Sequence, residues 1–283
     1  MVKVLKPGFY STIQDNGRFG YQEYGVPISG AMDRRAFNLA NILLGNNKDL
    51  PAIEMTMMGG KLEFDCTSLI CITGANMEPS VNGVSVMNNR VVTVKKGDVL
   101  SFGKLQSGFR CYLAVLGGFL TEYTMGSSSM YKGITKQFIL PKNDVLKVEA
   151  CDSDYKPLNS NLRVNTSYLS NKIIEVYEGP EFDRISEDHK KLLFDEVFTI
   201  SKDNNRMAYQ LNETIENNLE SIITTPVLPG TVQLTPSGKL IILMRDCQTT
   251  GGYPRVLQLK ESAINILSQK HTGNSLRFKL NKL

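Results

Sequence analysis

Tryptophan is absent from the 283-residue chain and histidine occurs only twice, at His189 and His271. Two imidazoles so far apart in sequence cannot build a histidine-rich metal centre, and no metal is expected. The five cysteines (Cys66, Cys71, Cys111, Cys151, Cys247) are odd in number and lack CxxC spacing, so buried reduced thiols are expected. Neither charge sign dominates: 32 Lys+Arg against 28 Asp+Glu leave +4, and the longest basic runs are mere pairs such as Lys95-Lys96 and Lys190-Lys191. A nucleic-acid partner, which calls for a basic stripe, is not expected.

No run approaches the roughly 20 apolar residues that span a bilayer, and residues 1–18 carry no apolar segment with a small-residue cleavage site. The expectation is no membrane contact and a cytoplasmic location. There is no GxxxxGK[ST] loop, no GxGxxG turn, no HExxH and no GxSxG elbow, which argues against self-contained P-loop, Rossmann, zincin and α/β-hydrolase sites. With 41% hydrophobic and 21% charged residues, the chain has the composition of one large or two medium globular domains.

What the sequence does contain is many short β-branched runs between turns. Val81-Asn82-Gly83-Val84 reads as a hairpin, because Asn-Gly tolerates positive φ at both central positions of a type I′ turn. Further strands are expected at 69–73, 90–94, 98–102, 110–116, 145–149, 173–177, 230–234, 239–244, 256–260 and 275–280. So many short strands indicate a mainly β chain of barrels or sandwiches. Helices are few: about 32–44, with Ala36, Leu39, Ala40, Leu43 and Leu44 on one face and Gly45 as the stop, then about 187–194 after Ser186, and about 261–267. The polar stretch 151–161 has linker composition, which gives two domains, 1–165 and 166–283.

Three constellations could carry chemistry. Gln14-Asp15-Asn16-Gly17-Arg18, continued by Ser29-Gly30-Ala31-Met32-Asp33-Arg34, compresses an amide, carboxylates, glycines and guanidinium groups into one loop region. Such a loop can offer backbone N–H groups and an arginine fork to an anion; equally, Asp15 and Arg18 can satisfy each other or the backbone. Asp246-Cys247-Gln248-Thr249-Thr250-Gly251-Gly252-Tyr253-Pro254-Arg255 follows an apolar strand and has the makings of a polar pocket wall, with Asp246 a general base or substrate orienter. The last, Asn205 to Leu211, carries Arg206 and Tyr209; its plainer reading is an edge strand with Met207 and Leu211 buried. Gly117-Gly118 and Met125-Gly126-Ser127-Ser128-Ser129 are lesser candidates that line a pocket or simply turn the chain.

Ile13-Gln14-Asp15-Asn16-Gly17-Arg18, Gly25-Val26-Pro27, Ser29-Gly30-Ala31-Met32-Asp33-Arg34-Arg35-Ala36, Gly117-Gly118 and Gln248-Thr249-Thr250-Gly251-Gly252-Tyr253-Pro254 together resemble the biotin-dependent carboxyltransferase family. That family includes the C component of 5-oxoprolinase, also labelled allophanate hydrolase subunit 2, and the carboxyltransferase portion of urea amidolyase. The resemblance implies two tandem cyclophilin-like β-barrel domains with a cleft between them. It also implies an ATP-dependent 5-oxoprolinase assembled from this chain, a cyclophilin-like B component and a lactam-hydrolysing A component, with a small lactam or amide as substrate. Asn205, Ala208, Gln210 and Thr235 depart from the family pattern.

On this reading Asp246 and Gln233 contact the amide, while Arg18 and Arg206 neutralise carboxylate or phosphate charge. Gln14, Asp15, Asp33, Arg34, Tyr209, Thr249, Thr250, Gly251, Gly252 and Tyr253 line the substrate. ATP belongs to the complex without assignment to any one of its chains. Two alternatives stand beside it. One is transfer of CO2 from carboxybiotin on a separate carrier to a urea-like amide, since no lysine here lies between two methionines. The other is a non-catalytic regulatory module that binds a kinase-inhibitor-like B component.

Overall fold

The computed structural model describes residues 1–150 and 164–281, so the expected linker at 151–161 lies outside the described residues. By contacts the chain divides into two compact units, Met1–Arg18 with Ser29–Ser170, and Phe19–Ile28 with Asn171–Leu283. A single cut at 165 does not describe this division, because residues 19–28 group with the later part of the chain.

The first unit contains β1 (Val2–Lys6), β2 (Tyr10–Gln14), α1 (Arg34–Leu44), β3 (Ala52–Thr56), β4 (Lys61–Phe64), β5 (Ser68–Asn76), β6 (Ser80–Val81), β7 (Val84–Ser85), β8 (Val91–Val94), β9 (Val99–Ser101), β10 (Ser107–Val115) and β11 (Val145–Leu146). They form a six-stranded sheet, β11-β1-β4-β9-β6-β7, and a five-stranded sheet, β2-β3-β10-β5-β8. The resemblance implies a barrel here; the described pairings make two sheets around one core.

Residues alternate sides along a strand, so each face of the five-stranded sheet has its own partner. Ile70 and Ile72 of β5, with Leu113 and Val115 of β10, face a core shared with Val2, Val4, Leu62 and Phe64 of the other sheet. Leu69 and Cys71, with Tyr112 and Ala114, face α1 through Ala36, Phe37, Ala40 and Leu44. Covered on both sides, β5 and β10 read as nearly unbroken apolar runs rather than as alternating ones. Burial pushes the Cys71 thiol up to about 12, consistent with a reduced, inert core cysteine.

The second unit contains β12 (Ile173–Glu178), α2 (Glu187–Asp195), β13 (Phe198–Asn204), β14 (Ala208–Thr214), β15 (Thr225–Pro226), β16 (Thr231–Leu234), β17 (Lys239–Leu243), β18 (Thr250–Gly251), β19 (Arg255–Leu259), α3 (Glu261–Ser268) and β20 (Ser275–Leu280). Seven of the strands close a barrel in the order β12-β19-β16-β17-β14-β13-β20. The ring closes because β20 pairs antiparallel with β13 and parallel with β12, Ile173 opposite Arg277. Val232, Leu234, Ile242, Val256, Leu276 and Phe278 are buried, and α3 buries Ala263, Ile264 and Leu267. A two-stranded ribbon, β15 with β18, forms a separate small sheet outside the ring's pairing.

All three expected helices form. Asp33 is the N-cap of α1, its carboxylate accepting from Ala36 N at 3.0 Å. Ser186 caps α2 as expected, accepting from His189 N. The Asn82-Gly83 turn has φ of 51° and 82°, as a type I′ turn requires. The segment expected to be an edge strand is interior instead: β14 pairs with both β13 and β17, Leu211 is buried, and Met207 is exposed just before it.

Phe64 is fully buried in the first unit's core and Phe9 is 61% exposed. Phe64→Ala is expected to cost about 3–5 kcal/mol, whereas Phe9→Ser changes stability by no more than about 0.5 kcal/mol. Urea unfolding of the two variants checks the contrast.

Candidate functional site

In the first unit the loop after β2 is organised around the buried carboxylate of Asp15. Its Oδ1 accepts from Gly17 N (2.8 Å), Ser127 Oγ (2.7 Å) and Ser129 Oγ (2.6 Å), and its Oδ2 from Ser128 N (2.6 Å). A charge removed from water needs such a set of donors, and the Ser-Ser-Ser stretch supplies them. Arg18 is wholly buried, donating from Nε to Thr124 O (3.1 Å) and from Nη2 to Ser129 O (2.9 Å). The guanidinium expected to meet an anion therefore holds the 124–129 segment through its carbonyls. Gln14, also fully buried, donates to Thr12 Oγ1 (3.0 Å) and Met130 O (3.4 Å), and Arg34 Nη2 donates to Asn16 O (2.8 Å).

Asp33 belongs to a second network. Besides capping α1, it accepts from the Tyr168 hydroxyl at 2.7 Å. Its backbone N–H donates to the Tyr112 hydroxyl (2.8 Å), which in turn donates to Glu54 Oε2 (2.7 Å). Glu54 also accepts from Met32 N at 2.8 Å and faces Arg110 at 3.7 Å. Burial, reinforced by Asp33 beside Tyr168 and Glu54 beside Tyr112, pushes both phenols well above their ordinary range, so both remain donors. Arg35 stacks on the Tyr168 ring at 4.4 Å and donates to Asn165 O at 2.9 Å. Asp33 and Arg35 thus fasten residues 165–168 to the start of α1.

In the second unit the expected catalytic pair is an ion pair with itself. Arg206 donates from Nε to Asp246 Oδ2 (2.8 Å) and from Nη2 to Asp246 Oδ1 (3.0 Å), and Asp246 N donates to Arg206 O (2.9 Å). This two-pronged contact joins the turn before β14 to the turn after β17. It leaves Asp246 as an orienting group rather than an isolated base. Tyr209, expected to line the substrate, is wholly buried, its hydroxyl donating to Lys270 O at 3.2 Å. Burial, reinforced by Asp246, pushes the Cys247 thiol up to about 12.

Gln233 is placed differently. It sits on β16, 2% exposed, and its amide nitrogen is shielded from solvent with no hydrogen-bond partner. A buried donor without an acceptor costs about 1–3 kcal/mol and is the kind of group a ligand satisfies. The β15–β18 ribbon lies against it: a Cβ on Gly251 would come within 2.5 Å of that nitrogen, so a larger residue there would displace the Gln233 amide. The hydroxyl of Thr225, opposite Gly251 in the ribbon, is likewise buried and unpartnered. Thr249 and Gly252 are half-buried, their carbonyls accepting from Val227 N (3.0 Å) and Ile222 N (2.9 Å), while Thr250 and Tyr253 are exposed.

Arg255 anchors the far end of the ribbon, donating to Glu181 from Nε (3.0 Å) and Nη2 (2.8 Å) and to Pro226 O from Nη1 (3.1 Å). Arg255 holds the Glu181 carboxyl below the usual carboxylate range.

The predicted residues are divided between the units: Gln14, Asp15, Arg18, Asp33 and Arg34 in the first, where Asp33 belongs to a separate network, and Arg206, Tyr209, Gln233, Asp246 and residues 249–253 in the second. Sequence reasoning missed Glu54, Tyr112, Tyr168 and Thr225. Glu54 had a usable signal, as a lone carboxylate inside the buried run Ala52–Thr56. The other three had none.

Comparison with known proteins gives the class. The family described as "Carboxyltransferase domain, subdomain A and B" matches residues 24–280, and the chain belongs to it. It is 33% identical over 287 residues to the C component of 5-oxoprolinase from Escherichia coli (strain K12), covering 98% of this chain and 90% of that protein. It is 37% identical over 163 residues to urea amidolyase of Saccharomyces cerevisiae, covering 53% of this chain and 9% of that protein. The solved K. lactis urea amidolyase superimposes with a TM-score of 0.84 at 27% identity, over 98% of this chain and 18% of that one. Of other solved chains that share the fold, this chain spans 55–56%.

Two outcomes follow from the second unit's geometry. Because the folded Glu181 carboxyl titrates below its unfolded value, its contribution is whole above about pH 4.3 and fades as pH falls through the lowered value. Glu181→Gln is therefore expected to flatten the loss of stability between neutral and acid pH, read from urea midpoints across pH. Arg255→Ala, which removes the two guanidinium hydrogen bonds to Glu181 and leaves it only the weaker pull of Arg184, is expected to cost about 1–3 kcal/mol at neutral pH in the same assay.

Proposed function

We propose that this chain is the C component of an ATP-dependent 5-oxoprolinase, working with its A and B components to open 5-oxoproline to L-glutamate. The observation that carries the proposal is the extent of the likeness. Nearly the whole chain aligns with nearly the whole of a 5-oxoprolinase C component, whereas urea amidolyase matches it only through a small part of its length.

The chemistry assigned to this chain is recognition of the lactam amide. Gln233 supplies a buried N–H that lacks an acceptor, suited to a lactam carbonyl oxygen that gains negative charge as the ring is activated. Gly251 lies against that position with Thr225 opposite it in the ribbon, and the Arg206–Asp246 pair joins the turns before β14 and after β17. Resonance makes a lactam a poor electrophile, so the ring opening draws on ATP. The site residues do not fit a triphosphate cradle: Arg18 is committed to two carbonyls and Arg206 to Asp246. We therefore assign ATP to a partner chain and route no phosphate step through this one.

Carboxyl transfer from carboxybiotin to a urea-like amide is the second reading, favoured by the family description and by the urea amidolyase superposition. It uses the same amide recognition and takes its carboxybiotin from a separate carrier.

Reconstitution separates the readings. The chain combined with its A and B partners is expected to form glutamate with ATP, and not to carboxylate urea with bicarbonate and a biotinylated carrier. Gln233→Ala is expected to lower kcat/KM about 10- to 100-fold with circular dichroism and thermal midpoint retained. Carboxylated urea in place of glutamate overturns the first reading. Partner binding without turnover leaves the regulatory module.

A further inference from the structure

Two buried polar groups meet where the β15–β18 ribbon lies on the barrel. Residues directly opposite in an antiparallel pair project to the same side, and so do residues two apart along one strand. Thr225 is opposite Gly251, and a Cβ on Gly251 would approach the Gln233 amide nitrogen (2.5 Å) and Val227 Cγ1 (3.3 Å). Thr225, Val227 and the bare side of Gly251 therefore share one face of the ribbon, the face turned to Gln233. Pro226 and Thr250, which alternate with them, are exposed.

The surface beneath is apolar apart from these groups. Val232 and Leu234 are wholly buried on one side of β16, and Gln233 between them takes the other side. Ile241, opposite Gln233 on β17, shares that side and packs against the cluster of Val227, Leu243 and Cys247. The Gln233 amide nitrogen is a donor and the Thr225 hydroxyl both a donor and an acceptor, and neither has a hydrogen-bond partner. Opposed Cβ atoms in such a pair lie about 4.5–5.5 Å apart, so one small polar group can touch both.

We infer that Thr225 is a specificity-determining residue for a ring amide: its hydroxyl accepts from the lactam N–H while Gln233 donates to the lactam carbonyl. A lactam ring holds its amide cis, with N–H and C=O side by side on one edge. An open-chain secondary amide is trans and points them in opposite directions. The ring methylenes then face Val227 and Ile241. The inference rests on the oxoprolinase reading for its choice of ligand. Both polar atoms are shielded from solvent, so a ligand reaches them when the ribbon lifts. With two residues in each strand, the ribbon has few backbone bonds to break.

The test uses the chain reconstituted with its A and B partners and two ligands. One is 5-oxo-L-proline; the other is 3-oxocyclopentane-1-carboxylate, which keeps the carbonyl and replaces the ring N–H by CH2. Dissociation constants are read by calorimetry without ATP, and glutamate formation is assayed separately with ATP. The wild-type complex is expected to prefer the lactam by about fivefold or more. Thr225→Val, which keeps the shape and deletes the hydroxyl, is expected to weaken lactam binding to a similar extent and to bring the two ligands within about twofold of each other. Thr225→Ser is expected to retain the preference. Hydrogen exchange of the 222–228 amides is expected to slow when the lactam binds.

Equal binding of the two ligands by the wild-type complex overturns the inference, as does a preference that survives Thr225→Val. So does the absence of saturable lactam binding at millimolar concentration, or binding that leaves exchange at 222–228 unchanged. The two readings fail separately. A Thr225-dependent preference without glutamate formation sinks the oxoprolinase reading and leaves the inference standing, whereas glutamate formation with a preference indifferent to Thr225→Val does the reverse.

Discussion

A carboxylate inside a protein must be surrounded by donors, and at Asp15 that requirement arranges much of the first unit's loop structure. Residues more than a hundred positions later in sequence, Ser127 to Ser129, are drawn to it by hydroxyl and main-chain N–H groups. The carbonyls of Ser129 and of Thr124 just before this segment then become acceptors for the buried Arg18 guanidinium. Removing either charge would leave the other side's polar groups buried without partners, which is the costly half of any buried ionic arrangement. The position of Gln14 and the approach of Met130 to β2 both follow from this one arrangement.

The second unit uses a different logic around its candidate site. Its ionic contacts, Arg206 with Asp246 and Arg255 with Glu181, are saturated in both members and act as struts between turns and strand ends. Gln233, like Thr225 in the ribbon, differs from these struts: it sits on a barrel strand with its amide nitrogen buried and without a hydrogen-bond partner. A preorganised donor of this kind gives up no reorganisation energy when a ligand oxygen arrives. Struts and open donor together distinguish the residues that build the site from those suited to touch a ligand.

Much of the architecture was legible from local patterns. Asn82-Gly83, Ser186 and Gly45 act through backbone geometry that depends on only a few neighbouring residues, so their roles transfer directly from sequence to structure. Strands whose partners dilute the pattern were harder to see. β13, with the sequence Phe-Thr-Ile-Ser-Lys-Asp-Asn, is polar over its second half, and β3 carries Glu54 at its centre. The roles of charged residues were least legible, because whether Arg18 meets a ligand or a carbonyl is decided by a segment far away in sequence. Asp33 reads as a site residue for the same reason, although its carboxylate is spent on a helix cap and on Tyr168.

The chain path has one further implication, for synthesis. Residues 19–28 emerge from the ribosome early, yet the contacts that define their group are made with residues 171–283. The first unit can pair its strands while translation continues, whereas that short stretch must wait until the carboxyl-terminal half has been made. Nor can the gene be split near residue 170 without giving one half a stretch whose contacts belong to the other.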